Sequence, residues 1–452
     1  MTTTAEQRKK LRILIVGAGI AGLAAGRALR EDHEVHIFES SSFKTEVGAA
    51  IHTGPNATRI LTKWGMDLER LESPNCRHIY EYNVSGKLVS HRPLNTIDLF
   101  GAPWLLNHRI SLHKELLHLA TSDDAALPGA PAQLHLGSKV VDVDGEAGVI
   151  TLADGTTFQG DLIVGGDGIK SLLQHYVLGR PANAKPSGHS AYRLLIPFDS
   201  LRELNDQDVE RSMSAPSLTM FVAEDRRVVC YTCKYDGRDL LNIVAIVPDE
   251  GLFEGSIESW SAKGSLKDLS ASFAAFPPTV QKILSKATEC ALYQLRDQDP
   301  LEKWSRNRVL IIGDAAHPML PHLGQGGSQA IEDAEALAYV LKTSDGLPQL
   351  DKMKQALERL QTLRHYRASI SQERSRMQAL GPRPGSQEEM LGKNTFELTR
   401  FLYDYFGAED WEQRIKEGRL GKDADMPPAG PPVAAAAAPA VDVKPAPAAV
   451  GA

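Results

Sequence analysis

Cysteine is scarce in this chain, and the four that occur, Cys76, Cys230, Cys233 and Cys290, are too few and too scattered to staple a fold. A disulfide scaffold is excluded. An excess of positive charge is also missing: 50 Lys and Arg stand against 57 Asp and Glu, the formal net charge is −7, and no basic run exceeds Arg8–Lys10. No nucleic-acid partner is expected, because such a partner needs a basic face. Long apolar runs are absent too. Nothing approaches the roughly 18 residues that cross a bilayer, and no apolar signal core precedes the first strand, so the expectation is no membrane span and a cytoplasmic location. The spacing Cys230-Tyr-Thr-Cys233 raises a dithiol or zinc site, but "VVCYTCKY" has the branched and aromatic content of a strand, where residues three apart face opposite ways. With no second pair to complete four ligands, no metal is expected.

What remains is ordinary globular composition, 42% hydrophobic and 24% charged, in a length that suits two unequal domains. Residues 11 to 39 read as strand, helix, strand. An amphipathic helix follows at Ser111 to Ala120. From Ser190 to Val247 the pattern turns to extended segments, "SAYRLLIPF", "SLTMFVA", "RVVCYTCKY" and "LLNIVAIV", with no long helix between them, which predicts an antiparallel sheet in a separate lobe. "NRVLIIGDAAHP" restores the parallel pattern, and helices are predicted from Ser328 to Lys342 and from Asp351 to Leu380. The second of these carries Met353, Leu357, Leu360, Leu363 and Ile370 at helical spacing. The expected division is a discontinuous nucleotide-binding domain at 10–75, 103–180 and 290–345, a β domain at 76–102 and 181–289, a helical region at 346–425, and a disordered Pro/Ala-rich tail at 426–452.

The chemistry starts at Gly17-Ala-Gly19-Ile-Ala-Gly22, directly after the strand "RILIV". Gly17 permits the tight turn, Gly19 lets a pyrophosphate approach the backbone, Gly22 allows close packing of the helix, and the helix N-terminus attracts the phosphate charge. Glu39 closes the next strand, where an acid accepts the ribose hydroxyls of adenosine and disfavours a 2′-phosphate. This first site is expected to hold FAD or NAD. A second glycine-rich turn, "GDAAHPMLPHLGQGGSQAIEDA", follows at Gly313 to Ala334. From local chemistry Asp314 is either the partner of a hydroxyl-bearing chain such as ribityl or an ordinary helix cap. Gly324, Gly326 and Gly327 either let a ring lie against the backbone or are plain loop glycines.

These two motifs, with "GDLIVGGDGIKS" at Gly160 to Ser171 between them, resemble the three fingerprints of the group A, single-component FAD-dependent aromatic hydroxylases. The likeness is strongest to the salicylate hydroxylase-like branch of fungal monooxygenases with the para-hydroxybenzoate hydroxylase fold. The resemblance implies an α/β protein: an FAD-binding Rossmann-like domain of the GR2 type, an inserted antiparallel β-sheet substrate domain and C-terminal helices. It implies FAD as cofactor, NADPH or NADH as transient co-substrate, O2 and a small aromatic substrate as partners, and a monomer or homodimer. It places Gly48, Ala49 and Ala50 near the flavin, Arg109 along its phosphate and ribityl region, Asp314 on the ribityl chain, and Gly326 and Gly327 at the ring, and it links Asp167 to FAD and NAD(P)H handling. The implied reaction is hydroxylation of a phenol through a flavin C4a-hydroperoxide, in secondary metabolism or aromatic degradation. Arg193 and Tyr231 would hold the substrate as phenolate, with Tyr235 second to Tyr231. Arg193 shares its strand face with Ala191 and Leu195, where a charge needs a partner; an anionic substrate, a salt bridge and exposure to solvent each satisfy that need. His317 is expected to pack against the flavin loop, and His322 either approaches the active site or serves that loop's structure. Epoxidation of a polyene or terpenoid double bond, flavin chemistry without oxygen insertion, and FAD binding without catalysis are the competing functions.

Overall fold

The computed structural model describes residues 10–43, 49–181, 184–213, 215–249, 263–344, 349–380 and 395–419. Gly48 and the stretch 426–452 lie outside the described residues. The chain begins with β1 (Arg12–Val16), α1 (Ile20–Leu29) and β2 (Glu34–Glu39), the predicted strand-helix-strand unit. It continues through β3 (Ala50–Thr53), α2 (Pro55–Lys63), the hairpin β4 (His78–Asn83) and β5 (Leu88–Pro93), then β6 (Leu105–His108), α3 (Arg109–Thr121), β7 (Gln133–Leu136), β8 (Leu162–Gly165) and α4 (Leu172–Leu178). Next come β9 (Lys185–Pro197), β10 (Ser217–Val222), β11 (Arg227–Tyr235), β12 (Arg238–Pro248) and β13 (Ala291–Asp297). The chain then forms β14 (Ser305–Arg306), β15 (Val309–Ile311), α5 (Gly326–Thr343), α6 (Leu350–Leu380), α7 (Thr395–Tyr403) and α8 (Ala408–Lys416).

The first sheet runs β14-β15-β8-β1-β2-β7, parallel except for its edge strand β14. Its central strands are apolar throughout because helices cover them: Ile13, Leu14, Ile15, Ile163, Val164 and Leu310 are fully buried. Parallel order brings the C-terminal ends of β1, β8 and β15 side by side, and all three glycine motifs begin at those ends.

The second sheet runs β13-β9-β12-β11-β10-β4-β5. The strands β9 to β12 pair antiparallel, as the extended segments from Ser190 to Val247 predict, and β4 lies parallel to β10 beside them. β13 pairs antiparallel with β9, and the chain rejoins the first sheet at β14.

Alternation divides the second sheet into two faces. Tyr192, Leu194, Ile196, Cys230 and Ile243 pack outward against short helices through Leu201, Phe273 and Val280. Leu195, Leu218, Tyr231 and Cys233 pack inward against Ala50, Trp104 and Leu106. Cys230 and Cys233 therefore point to opposite faces, as the strand pattern predicts. Among the described residues no helix is long and apolar enough to cross a membrane.

Candidate functional site

The first motif is shaped by what leaves no room for a side chain. Gly17 adopts φ +96°, and a Cβ there would lie 2.5 Å from the Gly166 carbonyl oxygen, so the first and second motifs press backbone on backbone. A Cβ on Gly22 would collide with the Gly17 carbonyl oxygen. Over Gly19, by contrast, a Cβ would meet nothing within 4 Å. That open space at the start of α1 is where a pyrophosphate needs to come close to backbone N–H groups. Glu39 accepts the Ala18 N–H at 2.9 Å on one carboxylate oxygen and the Ser41 N–H at 2.7 Å on the other, which fixes its direction at the end of β2. Asp167 is drawn into its own turn: Ser171 Oγ donates to it at 2.6 Å and the Leu173 N–H at 3.3 Å, at the start of α4. Burial raises the Asp167 carboxyl above its usual range, and those two donors oppose the rise.

The third motif closes onto the first. Gly327 faces Ile51 and Ile20, and the Asp314 carboxylate lies 3.8 Å from where a Cβ on Gly326 would stand. Asp314 caps no helix, since Gln325 occupies the N-cap of α5. Its carboxylate is accessible and has no hydrogen-bond partner among the described residues, while the surrounding protein raises its pKa against the charges of His317, Arg109 and Arg193. Arg109 opens α3, held there by its own N–H on the Ala49 carbonyl oxygen at 2.8 Å. An open backbone cradle, an unpartnered carboxylate and a guanidinium along one cleft fit a dinucleotide with a polyhydroxyl chain.

The loop from Gly313 to Gln325 is braced from beneath. Asp333 on α5 accepts the Gly313 N–H at 3.0 Å, His317 Nε2 at 2.6 Å and Arg364 Nε at 2.9 Å. Burial alone would raise this carboxyl; His317 and Arg364 bring it down to about 2. His317 thus serves the loop, as expected.

Above this floor stands the inward face of the second sheet. Arg193 is half-buried, its Nε has no hydrogen-bond partner among the described residues, and its guanidinium carbon lies 5.3 Å from the Tyr293 ring centroid. Its charge acts on both Asp314 and Tyr231. Tyr231 is buried, which pushes its phenol well up. Tyr235, the second choice, turns away: it stacks on His108 with centroids 4.2 Å apart and receives Lys114.

Sequence reasoning missed three side chains here. His52 accepts the Trp104 indole N–H at Nδ1, 3.0 Å away, sits 6.0 Å from the Tyr231 ring, and is lowered to about 4 by burial. Tyr403 on α7 packs edge-on to Trp104 and belongs to the same inner cluster as Tyr231. Asn242 joins the sheet to the cofactor side by accepting the Ala50 N–H at 3.1 Å. Only His52, two residues after Ala50, carried a positional signal. His322, on the turn above, is lowered to about 3 by burial together with Arg227 and His189. An open groove of about 660 Å³ between β14 and α6, lined by Arg306, Lys354 and His365, shares none of these residues.

The family described as FAD binding domain matches residues 10–344. The chain is 34% identical over 377 residues to the FAD-dependent monooxygenase cfoG of Aspergillus candidus, covering 82% of this chain and 85% of that protein. It is also 34% identical over 370 residues to hispidin-3-hydroxylase of Neonothopanus nambi, covering 79% and 86%. A solved salicylate hydroxylase in its substrate complex shares the fold, with a TM-score of 0.65 and 24% identity over 91% of this chain and 94% of that one.

Proposed function

This chain belongs to the FAD-dependent monooxygenases built on the FAD binding domain, and we propose that it hydroxylates a small phenolic substrate held between the two sheets, with NAD(P)H and O2 as co-substrates. FAD would be held by Gly17, Gly19, Gly22 and Glu39 at its adenosine end, by Arg109 and Asp314 along its middle, and by Ala49, Ala50, Gly326 and Gly327 at its ring. When bound and reduced, FAD supplies the activated oxygen. The other tasks fall to the chain.

The observation that carries the substrate class is Arg193. A half-buried guanidinium with neither ion pair nor hydrogen bond among the described residues is costly, and an anionic oxygen on a ligand removes the cost. Tyr231 keeps its proton because burial lifts its phenol, so it can donate to that same oxygen. Together they hold a phenolic oxygen in its ionised form, which enriches the ring where electrophilic oxygen attacks. Trp104, Leu218 and Tyr403 give the pocket apolar walls that keep water out.

The test is to screen FAD-loaded protein with phenolic acids and aldehydes for stimulated NAD(P)H oxidation, and to follow ¹⁸O from ¹⁸O2 into product by mass spectrometry. Loss of one charge-assisted contact corresponds to about ten- to a hundredfold, so Arg193→Ala is expected to raise KM by that factor and divert NAD(P)H consumption to H2O2. Unchanged affinity and coupling in this variant would sink the assignment. Oxygen transfer to a polyene but to none of the phenols would move the function to epoxidation.

A further inference from the structure

Asn242 is 1% exposed and sits in the middle of the inward sheet face. Its register is specific: Leu195 lies directly opposite on β9 and Tyr231 directly opposite on β11. Arg193 faces Val244, one pleat along, and is therefore the diagonal neighbour of Asn242. Directly opposed residues have Cβ atoms about 5 Å apart and diagonal ones about 7 to 8 Å apart, so the three polar side chains fall within the span of one aromatic ring with its substituents.

The two arms of the Asn242 amide are not interchangeable. The Ala50 N–H reaches it at 3.1 Å, and a backbone donor can meet only the carbonyl oxygen, so Oδ1 is committed to β3. Nδ2 is thereby fixed as a donor, and it is buried with no hydrogen-bond partner among the described residues. An unsatisfied buried donor costs free energy unless something absent from the protein alone completes it. The cofactor-side strand already takes the oxygen arm, and the nitrogen arm diverges from it.

From this geometry we infer that Asn242 is a substrate-positioning residue whose Nδ2 donates to a second oxygen of the bound ring, distinct from the phenolic oxygen between Arg193 and Tyr231. The inference rests on the phenolic-substrate reading and narrows it: the substrate is an aromatic ring bearing two oxygen substituents close together, the second being a hydroxyl, oxo or carboxylate group. Arg193 and Tyr231 fix one point of the ring, and Asn242 fixes its rotation in the plane.

Two variants test it in FAD-loaded, full-length protein. Asn242→Asp keeps an acceptor for Ala50 and removes the donor; Asn242→Leu removes both. Phenol and catechol are titrated against each protein while the flavin absorbance spectrum is followed, giving dissociation constants independent of turnover. The ratio of catechol to phenol affinity is expected to fall about tenfold in both variants, one hydrogen bond's worth, with FAD content unchanged in Asn242→Asp. Taking the ratio discounts the new charge of the aspartate, which weakens both phenols alike. A ratio unchanged in Asn242→Asp, or FAD lost from it, overturns the inference and leaves the phenolic reading standing. A wild-type spectrum that neither phenol perturbs overturns both.

Discussion

Gly19 and Gly22 stand one helical turn apart and answer to different forces. Gly22 is constrained by the protein itself, because a methyl group would run into the Gly17 carbonyl oxygen. Gly19 has φ −76°, which any residue adopts, and open space where a side chain would go. Alanine at each position should therefore separate folding from cofactor binding. Gly22→Ala is expected to destabilise the apoprotein by about 1 to 3 kcal/mol, the range for overpacking. Gly19→Ala should leave apoprotein stability within about 0.5 kcal/mol of wild type, as for a substitution that meets nothing. Its FAD affinity should nevertheless fall at least about tenfold, because the methyl fills the approach to the backbone. Urea unfolding of apoprotein beside FAD titration reads both, and a Gly19→Ala that binds FAD normally contradicts the cradle. Gly22 was legible in the sequence because so close an approach of backbone to backbone admits glycine alone. Asp314 was legible only as a pair of alternatives, since cap and ligand partner share one residue type; the N-cap of α5 is Gln325, so Asp314 does not cap that helix.

Among elements, α6 departs most from its sequence pattern. Met353, Leu357, Leu360 and Leu363 are buried as the spacing predicts, but Ile370 is only half-buried and the stripe continues through Arg364, Arg367, Ser371 and Arg376. Arginine at helical spacing ordinarily marks a solvated face. Here the partners lie on α5: Arg364 Nη1 meets Glu332 at 2.5 Å, and Arg367 meets Glu332 at 2.6 and 2.8 Å. Arg367 also donates to the carbonyl oxygens of Phe401 and Leu402, tying α7 to the same charges. Nothing in a single sequence announces a pairing across some 35 residues of chain. The pairing of β13 with β9, about 100 residues earlier by number, is equally silent in a single sequence. Removing one member of a buried pair leaves the other charge uncompensated, which costs about 3 to 5 kcal/mol. Arg367→Met should lower stability by that amount in urea unfolding and loosen α7, exposing Tyr403 to proteolysis or hydrogen exchange. A loss below 1 kcal/mol would show that Arg364 and Asn56, whose Nδ2 donates to Glu332 at 2.6 Å, suffice to hold Glu332.

At the scale of the whole molecule the second sheet meets the strand pair β3–β6 along a seam, and histidines stand in it. His52 links β3 to Trp104 and Tyr231, His108 stacks on Tyr235, and His322 lies in the turn at Pro321–Leu323, within reach of the charges of Arg227 and His189. The Ala50 to Asn242 bond crosses the same seam. Burial lowers His52 and His108 to about 4 and His322 to about 3. Each binds a proton near pH 6.5 when unfolded but stays neutral in the fold until far lower, so the unfolded state holds more protons and stability falls as pH drops below about 6.5. Each such group contributes a slope of up to about 1.4 kcal/mol per pH unit. Asp167 and Glu335, whose carboxyls burial raises, take up protons in the fold and act against this loss. A difference between proteins therefore isolates the histidine. His52→Asn can keep an acceptor where Nδ1 receives the Trp104 N–H and has nothing to protonate. Between pH 6.5 and 4.5 its unfolding free energy should fall less steeply than that of wild type, by as much as one proton. A parallel pair of curves would mean that His52 titrates normally in the fold, and with it that the pocket floor beside Tyr231 is wet.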